Sequence, residues 1–257
     1  MNIDLALEAA QAASNVIMHI YETDFAVEYK EDASPVTMAD QQAHKVICQV
    51  LSQSDYPIVS EESKQRQHHA ADIFWLVDPL DGTKEFIQKN GEFTVNIALI
   101  HQQRPVLGVV AVPAQDVVYF AEQGKGAFKR TLSSDERLHC SQQVDLHQAT
   151  IAVSRSHLRE QDQTFIQQHA IKHVKPLGSA LKYCQLAEGL VDLSVRYTPL
   201  MQWDLAASDC IVHEAGGSVC DFALQPYHYD ATQAEQALLQ GLVTINAAIN
   251  FTQLTFK

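Results

Sequence analysis

Leu5, Ala9, Ala12, Val16 and Ile20 recur at helical spacing over residues 3–21, so one stripe of an amphipathic helix faces a core. Ser34-Pro35-Val36-Thr37 opens a second helix, with Ala43, Val46, Ile47, Val50 and Leu51 as its buried stripe. Thr37 is a natural N-cap, and Asp40 completes a Thr-x-x-Asp variant of the capping box. The period then changes. Residues 57–60 read as a short strand running into Glu61-Glu62, and 63–72 as a polar surface loop. The apolar run Ile73-Phe74-Trp75-Leu76-Val77 reads as a buried strand that ends abruptly in Asp78-Pro79-Leu80-Asp81-Gly82-Thr83. Alternating segments at 93–100, 106–113 and 117–121, with Gly124-Lys125-Gly126 turning into Ala127-Phe128-Lys129, predict antiparallel strands joined by hairpins.

The second half alternates between periods. Strand-like segments at 150–154, 171–177, 191–197, 218–222 and 243–247 interleave with helical ones at 158–169, 179–188 and 203–215. Gly189 sits in a C-cap position. This pattern implies a mixed or parallel sheet covered by helices. The polar connector at 131–148 marks a boundary between an α+β lobe over 1–130, holding the antiparallel sheet and the acidic turn, and an α/β lobe over 131–257.

At 46% hydrophobic and 19% charged residues the chain has the composition of a globular protein. No apolar run approaches the ~20 residues of a membrane span. The first residues lack the basic start and apolar core of a secretion signal. Five scattered cysteines without a Cys-x-x-Cys argue for reduced thiols in a cytoplasm, against a disulfide scaffold or structural zinc. A formal net charge of −13 disfavours nonspecific nucleic-acid binding but leaves room for an anionic small molecule at a local cation cluster.

Two carboxylates three residues apart at the mouth of a buried strand are costly unless something neutralises them. Pro79 and Gly82 permit a turn that aims Asp78, Asp81 and a backbone carbonyl at one point, as a hard cation requires. An Asp-rich turn that merely caps the next helix is the other reading. Glu61-Glu62 and Asp204 add acids at other predicted strand ends or helix starts. No His or Cys cluster accompanies them, which favours Mg²⁺ or Mn²⁺ over zinc.

Ser60-Glu61-Glu62, the Asp-Pro-Leu-Asp-Gly-Thr-Lys-Glu-Phe stretch (78–86), and Trp203-Asp204-Leu205-Ala206-Ala207 followed by Glu214-Ala215-Gly216-Gly217 resemble the metal-dependent, lithium-sensitive inositol monophosphatase superfamily. Lys84-Glu85-Phe86, residues 90–100 and Gly178-Ser179-Ala180-Leu181-Lys182-Tyr183-Cys184 narrow the resemblance to its CysQ-type branch of 3'(2'),5'-bisphosphate nucleotidases. The resemblance implies an α/β (α+β) fold, an alternating α/β/α/β/α layered sandwich. It implies a Mg²⁺-dependent phosphomonoesterase using two or three ions, with Mn²⁺ as an alternative.

Carried over residue by residue, it makes Glu61, Asp78, Asp81, Asp204 and the Leu80 carbonyl metal ligands, with Asp40 and Thr83 polarising the attacking water. Capping and water activation would compete for the oxygens of Asp40. Gly82 and Thr83 would hold phosphate oxygens, and Glu61, Leu80, Asp81 and Asp204 would also face substrate. His157, Ser179, Lys182 and Arg196 would meet the second phosphate and the nucleoside, with Lys182 and Arg196 as cations. Ser179 as an N-cap and Arg155 and Lys182 as surface residues are the plainer readings. Ser208-Asp209 stands where related sequences commonly have Gly, which predicts looser packing of that helix.

The implied substrate is 3'-phosphoadenosine 5'-phosphate, cleaved to AMP and phosphate in sulfur assimilation, with its sulfated analogue and the 2',5' isomer as further substrates. An inositol or sugar phosphate phosphatase, and a noncatalytic metal- or nucleotide-binding regulator, are the competing readings. The expected location is cytoplasmic, with any membrane attachment peripheral on the inner membrane. Monomer and homodimer both stay open.

Overall fold

Strand alternation divides the apolar side chains of the first half between two faces of one sheet, and helices cover each face. The computed structural model describes residues 3–29, 35–63, 71–156, 158–234, 236–238 and 241–256. His157 and most of the polar loop predicted at 63–72 lie outside the described residues.

Helix α1 (Ile3–Tyr21) leads through the antiparallel pair β1 (Val27–Tyr29) and β2 (Pro35–Thr37) into α2 (Met38–Leu51). Then come β3 (Ile58–Ser60), β4 (Ile73–Asp81), the short α3 (Thr83–Ile87), β5 (Thr94–His101), β6 (Arg104–Val112), β7 (Val117–Glu122), β8 (Gly126–Arg130) and β9 (Asp135–Arg137). Strands β3 to β9 form a seven-stranded sheet in sequence order. Only β3–β4 is parallel; the rest are antiparallel neighbours. The second half supplies β10 (Thr150–Ser154), α4 (Glu160–Gln168), β11 (His173–Leu177), α5 (Leu181–Ala187), β12 (Leu193–Arg196), α6 (Gln202–Glu214), β13 (Gly217–Cys220) and β14 (Leu242–Asn246). Its strands form a mixed five-stranded sheet in the order β11-β10-β12-β14-β13.

Trp75, Val77, Ile97, Leu99, Val109 and Ala111 pack in one core with α1 and α2. Their neighbours Phe74, Leu76, Ala98, Ile100, Val110 and Val112 pack in a second core with α5 and α6. That second core also takes in Ala152, Leu177 and Val219 of the other sheet, whose far face buries Val153, Leu193 and Val243 with Phe165 of α4. The result is the expected α/β/α/β/α sandwich. Among the described residues, no helix is long and apolar enough to cross a membrane.

Two local readings need correction. The polar connector at 131–148 contains β9, which pairs with β8. Its Asp-Glu-Arg sequence is exposed throughout, so it carries no apolar alternation, and its charges blunt the sheet edge. The strand expected to stop at Val77 runs on to Asp81 through a bulge: Asp78 lies opposite Asn96, and Asp81 opposite Thr94. Pro79, which has no amide to pair, fits inside that irregularity.

Nor does Ser208-Asp209 loosen α6. Ser208 is buried and donates to the Leu205 carbonyl (2.9 Å). Close approach to the sheet comes from β6, where a Cβ on Gly108 would stand 2.2 Å from the Ala207 carbonyl oxygen. Gly108→Ala should therefore push α6 outward. We expect a cost of about 1–3 kcal/mol, read in thermal unfolding as a Tm lower by about 2–12 °C. An unchanged Tm would mean that helix and sheet separate freely.

Candidate active site

The bulged end of β4 and the start of α3 form the acidic turn. The Leu80 N–H donates to Asp78 Oδ1 (3.0 Å), folding the Asp78 side chain back over the bulge. Gly82 then takes φ +85°, the left-handed region that only glycine enters without strain, and a Cβ there would lie 3.1 Å from that of Ser179. Asp204 arrives from the first turn of α6, where its Oδ2 accepts the Met201 N–H (2.9 Å). Carboxylate oxygens of Asp78, Asp81 and Asp204 all lie within 4.8 Å of one another. Glu61 follows β3, fixed by its N–H to the Val77 carbonyl (3.1 Å), and hydrogen-bonds Asp78 through its side chain.

So many acids cannot all stay ionised unaided. Burial raises the Asp78 pKa well above the usual carboxylate range, and Glu61, Asp81 and Asp204 push the same way. Asp204 is pushed up to about 7, first by burial and then by Asp81 and Glu61, against the pull of Arg196 and the Met201 N–H. Either protons or a cation must relieve the repulsion. The donors are all oxygens, with no thiolate or imidazole among them, and so fit a hard divalent ion of the Mg²⁺ type.

Asp40 answers the question of competing roles. Its Oδ2 accepts the Thr37 N–H (2.7 Å) and hydroxyl (2.8 Å), while its Oδ1 accepts the Thr83 hydroxyl (3.2 Å). Capping uses one oxygen and Thr83 the other, so capping does not occupy the oxygen that Thr83 meets. The Thr83 hydroxyl also lies 3.4 Å from the Leu80 carbonyl. Asp40 is 3% exposed, and burial raises its pKa to about 6 despite the hydrogen bonds from Thr37.

On the other side of the acids lies a cavity of about 210 Å³ lined by Asp81, Gly82, Thr83, Ser179, Lys182 and Arg196, among others. Lys182 is not a surface residue: it is 4% exposed, with its ammonium 5.0 Å from the Tyr183 ring centroid. Burial and, next, Arg196 lower its pKa to about 8, against the support of Asp81, Glu85 and Asp204. Arg196 is braced by the carbonyls of Thr198 (3.1 Å) and Pro199 (3.2 Å).

Ser179 is not an N-cap, since α5 begins at Leu181. Its Oγ donates to Asp81 Oδ2 (2.7 Å), and its φ of +51° puts a serine in the left-handed region, at a cost of about 1–2 kcal/mol. The surroundings hold it there. Glu92 accepts the Gly178 N–H (2.7 Å) and grips Arg155 through two bonds (2.6 and 2.7 Å), and Lys182 reaches the Ser179 carbonyl (2.5 Å). Arg155 is thus a clasp between the two sheets. Sequence reading missed Glu92 in that clasp, along with the buried Glu85, which lines the cavity and accepts the Ser156 hydroxyl (2.5 Å). Its signal was Lys84-Glu85 beside the acidic turn, which reads equally well as a first helical turn.

A sandwich of this layering, with an all-oxygen acidic cluster at a sheet end and beside it a cavity that also holds Lys84, Lys182 and Arg196, fits a phosphatase of the divalent-metal class. The profile of the inositol monophosphatase family matches residues 2–253, and the chain belongs to that family. It is 41% identical to the 3'(2'),5'-bisphosphate nucleotidase CysQ of Salmonella typhimurium, over 95% of this chain and 99% of that protein. It is 34% identical to the Nus factor SuhB of Pasteurella multocida, over 86% and 85% respectively. Among solved structures it resembles CysQ from Bacteroides thetaiotaomicron, with a TM-score of 0.83, 34% identity, and coverage of 95% of this chain and 97% of that one.

The Asp40–Thr83 pair needs an ionised Asp40, and that form is lost as pH falls through its raised pKa of about 6. We expect kcat to show an acidic limb with its midpoint near that pH. Asp40→Asn should lower kcat by about 10²-fold or more, while its amide oxygen preserves the cap and hence Tm. An acidic limb unchanged in Asp40→Asn would assign the titration to another group.

Proposed function

We propose that the chain hydrolyses 3'-phosphoadenosine 5'-phosphate to AMP and phosphate with Mg²⁺, accepts the sulfated analogue and the 2',5' isomer, and serves sulfur assimilation. The observation that carries this reading is a cavity that joins the acidic cluster to Lys182 and Arg196, with Lys84 as a third cation on its wall. Burying an ammonium is expensive. A substrate with a second phosphate gives the Lys182 ammonium, bonded otherwise to the Ser179 carbonyl, an anion of its own, which a simple inositol or sugar monophosphate does not. The nucleotidase name of the Salmonella relative supports the same choice. Family membership alone does not make it, since the Pasteurella relative is a Nus factor.

Glu61, Asp78, Asp81, Asp204 and the Leu80 carbonyl would hold two or three Mg²⁺ ions, or Mn²⁺ in their place, which when bound acidify a water and neutralise charge on the leaving oxygen. Asp40 Oδ1 takes the Thr83 hydrogen. That leaves the Thr83 oxygen free to accept a hydrogen bond from the attacking water and to orient it. Gly82 and Thr83 line the cavity, and their amides are assigned to the phosphate oxygens. Lys182 and Arg196 are assigned to the 5'-phosphate. His157 is assigned to the nucleoside on sequence grounds. Positioning and charge suffice for phosphoryl transfer to water, so no phosphoenzyme is required.

Phosphate release should be compared for 3'-phosphoadenosine 5'-phosphate, inositol 1-phosphate and fructose 1,6-bisphosphate, with and without Mg²⁺. The bisphosphate nucleotide should be preferred, and only with Mg²⁺. Preference for the inositol ester would overturn the reading. Lys182→Ala should raise KM for the nucleotide by about 10- to 100-fold, the worth of a charged hydrogen bond, and leave KM for a monophosphate nearly unchanged. Equal effects on both would remove Lys182 from substrate selection.

A further inference from the structure

The strand facing the acidic turn carries two polar residues in a run that is otherwise apolar: Phe93-Thr94-Val95-Asn96-Ile97. Thr94 is 0% exposed and Asn96 1%, so bulk solvent does not reach them. They lie two residues apart on one face of β5, opposite Asp81 and Asp78 respectively. Ser179 Oγ stands 2.7 Å from Asp81 Oδ2 and 2.5 Å from Thr94 Oγ1, and Thr94 Oγ1 stands 2.9 Å from the Asn96 amide. A longer contact of 3.5 Å links Thr94 Oγ1 to Asp81 Oδ2.

Three short contacts need three hydrogens, and the two hydroxyls supply two. An ionised Asp81 only accepts, so Ser179 gives its hydrogen there. Thr94 then serves either Ser179 or Asn96, and the remaining contact must draw on the Asn96 amide. With the amide oxygen toward Thr94, the buried Asn96 Nδ2 has no partner at all. With the nitrogen toward Thr94, every contact is satisfied and only an oxygen lacks a partner, the cheaper omission.

We infer that Asn96, Thr94 and Ser179 form a one-way chain of donors ending on Asp81 Oδ2, which makes Thr94 and Asn96 positioning residues for the metal centre. The inference rests on the reading of Asp81 as a metal ligand. The chain fixes one carboxylate oxygen of Asp81 and is itself held by the strained Ser179 turn. Groups that orient a ligand in this way are worth about 10- to 100-fold in metal affinity.

The test is calorimetric titration with Mg²⁺ alone, without substrate, alongside the Tm of the metal-free protein. Thr94→Val should weaken Mg²⁺ binding about 10-fold with metal-free Tm near wild type, and Thr94→Ser should restore the affinity. Should Thr94→Val fail to fold, Thr94→Ala removes the same hydroxyl without crowding and reads the same quantity. Wild-type affinity in the hydroxyl-less variant, or a Thr94→Ser variant as weak as it, would overturn the chain. Asp81→Asn separates the two claims. If it loses Mg²⁺ affinity while Thr94→Val does not, the ligand stands and the chain falls. If it binds as wild type, both fall.

Discussion

Mutual repulsion among clustered carboxylates, one buried and three half-buried, governs this molecule. At separations near 5 Å and an effective dielectric constant of about 20, each ionised pair repels by roughly 3 kcal/mol. Asp78, Asp81 and Asp204 with Glu61 therefore oppose folding on the scale of a typical domain's whole stability of ~5–15 kcal/mol. Such a cluster survives only if a proton or a cation is part of the folded state, and the oxygen-only donor set answers to a hard divalent ion. The surrounding elements can be understood as means of bringing the acids together. A bulge in β4 swings Asp78 and Asp81 to one side, a left-handed Gly82 lets the chain turn away at once, and Gly108 lets α6 come close enough to deliver Asp204.

Two of the acids arrive by the same device. Asp40 and Asp204 each occupy the third position of a helix, and each uses Oδ2 to accept the N-cap residue's N–H. A capping carboxylate has two oxygens, and the helix needs only one. The bond to the N-cap fixes the side chain and the helix terminus favours its negative charge; in Asp40 the second oxygen meets Thr83, and Asp204, so held, stands within the acidic cluster. Capping and the proposed water activation, which sequence reasoning sets in opposition at Asp40, therefore draw on different oxygens.

The periodic signals were legible because they come from burial: Trp75 and Phe74 alternate between cores as a strand requires, and α1 and α2 each turn an apolar stripe to the core, although in α1 Ala13 and Ile17, not Ala12 and Val16, are the fully buried positions. The acids of the site were legible because Asp-Pro-Leu-Asp-Gly-Thr is too polar for the end of so apolar a strand. Other features left no such trace. Strand β9 is held by backbone pairing alone, so its Asp-Glu-Arg looks like a loop. Lys182 reads as surface because burial of a lysine depends on Tyr183 below it and on distant acids that keep it charged. Ser179 reads as a helix cap because a left-handed φ on a serine depends on Glu92 and Arg155, which are remote in sequence.

That last dependence connects the metal side of the site to the substrate side. Glu92 precedes β5, in the first sheet; Arg155 follows β10, in the second; and their paired hydrogen bonds hold Gly178 so that Ser179 meets Asp81. Lys182 then bonds the Ser179 carbonyl from one helical turn further on. A single short segment thus presents a hydroxyl to the acidic cluster and an ammonium to the neighbouring cavity, with Ser179 just before α5 and Lys182 in its first turn. If Lys182 and Arg196 take the second phosphate as proposed, a substrate that spans the acidic cluster and the cavity must carry its two anionic groups at a matching separation. On that proposal, recognition of a bisphosphate is a matter of spacing between rigid elements, and a monophosphate engages only the acidic half of the site.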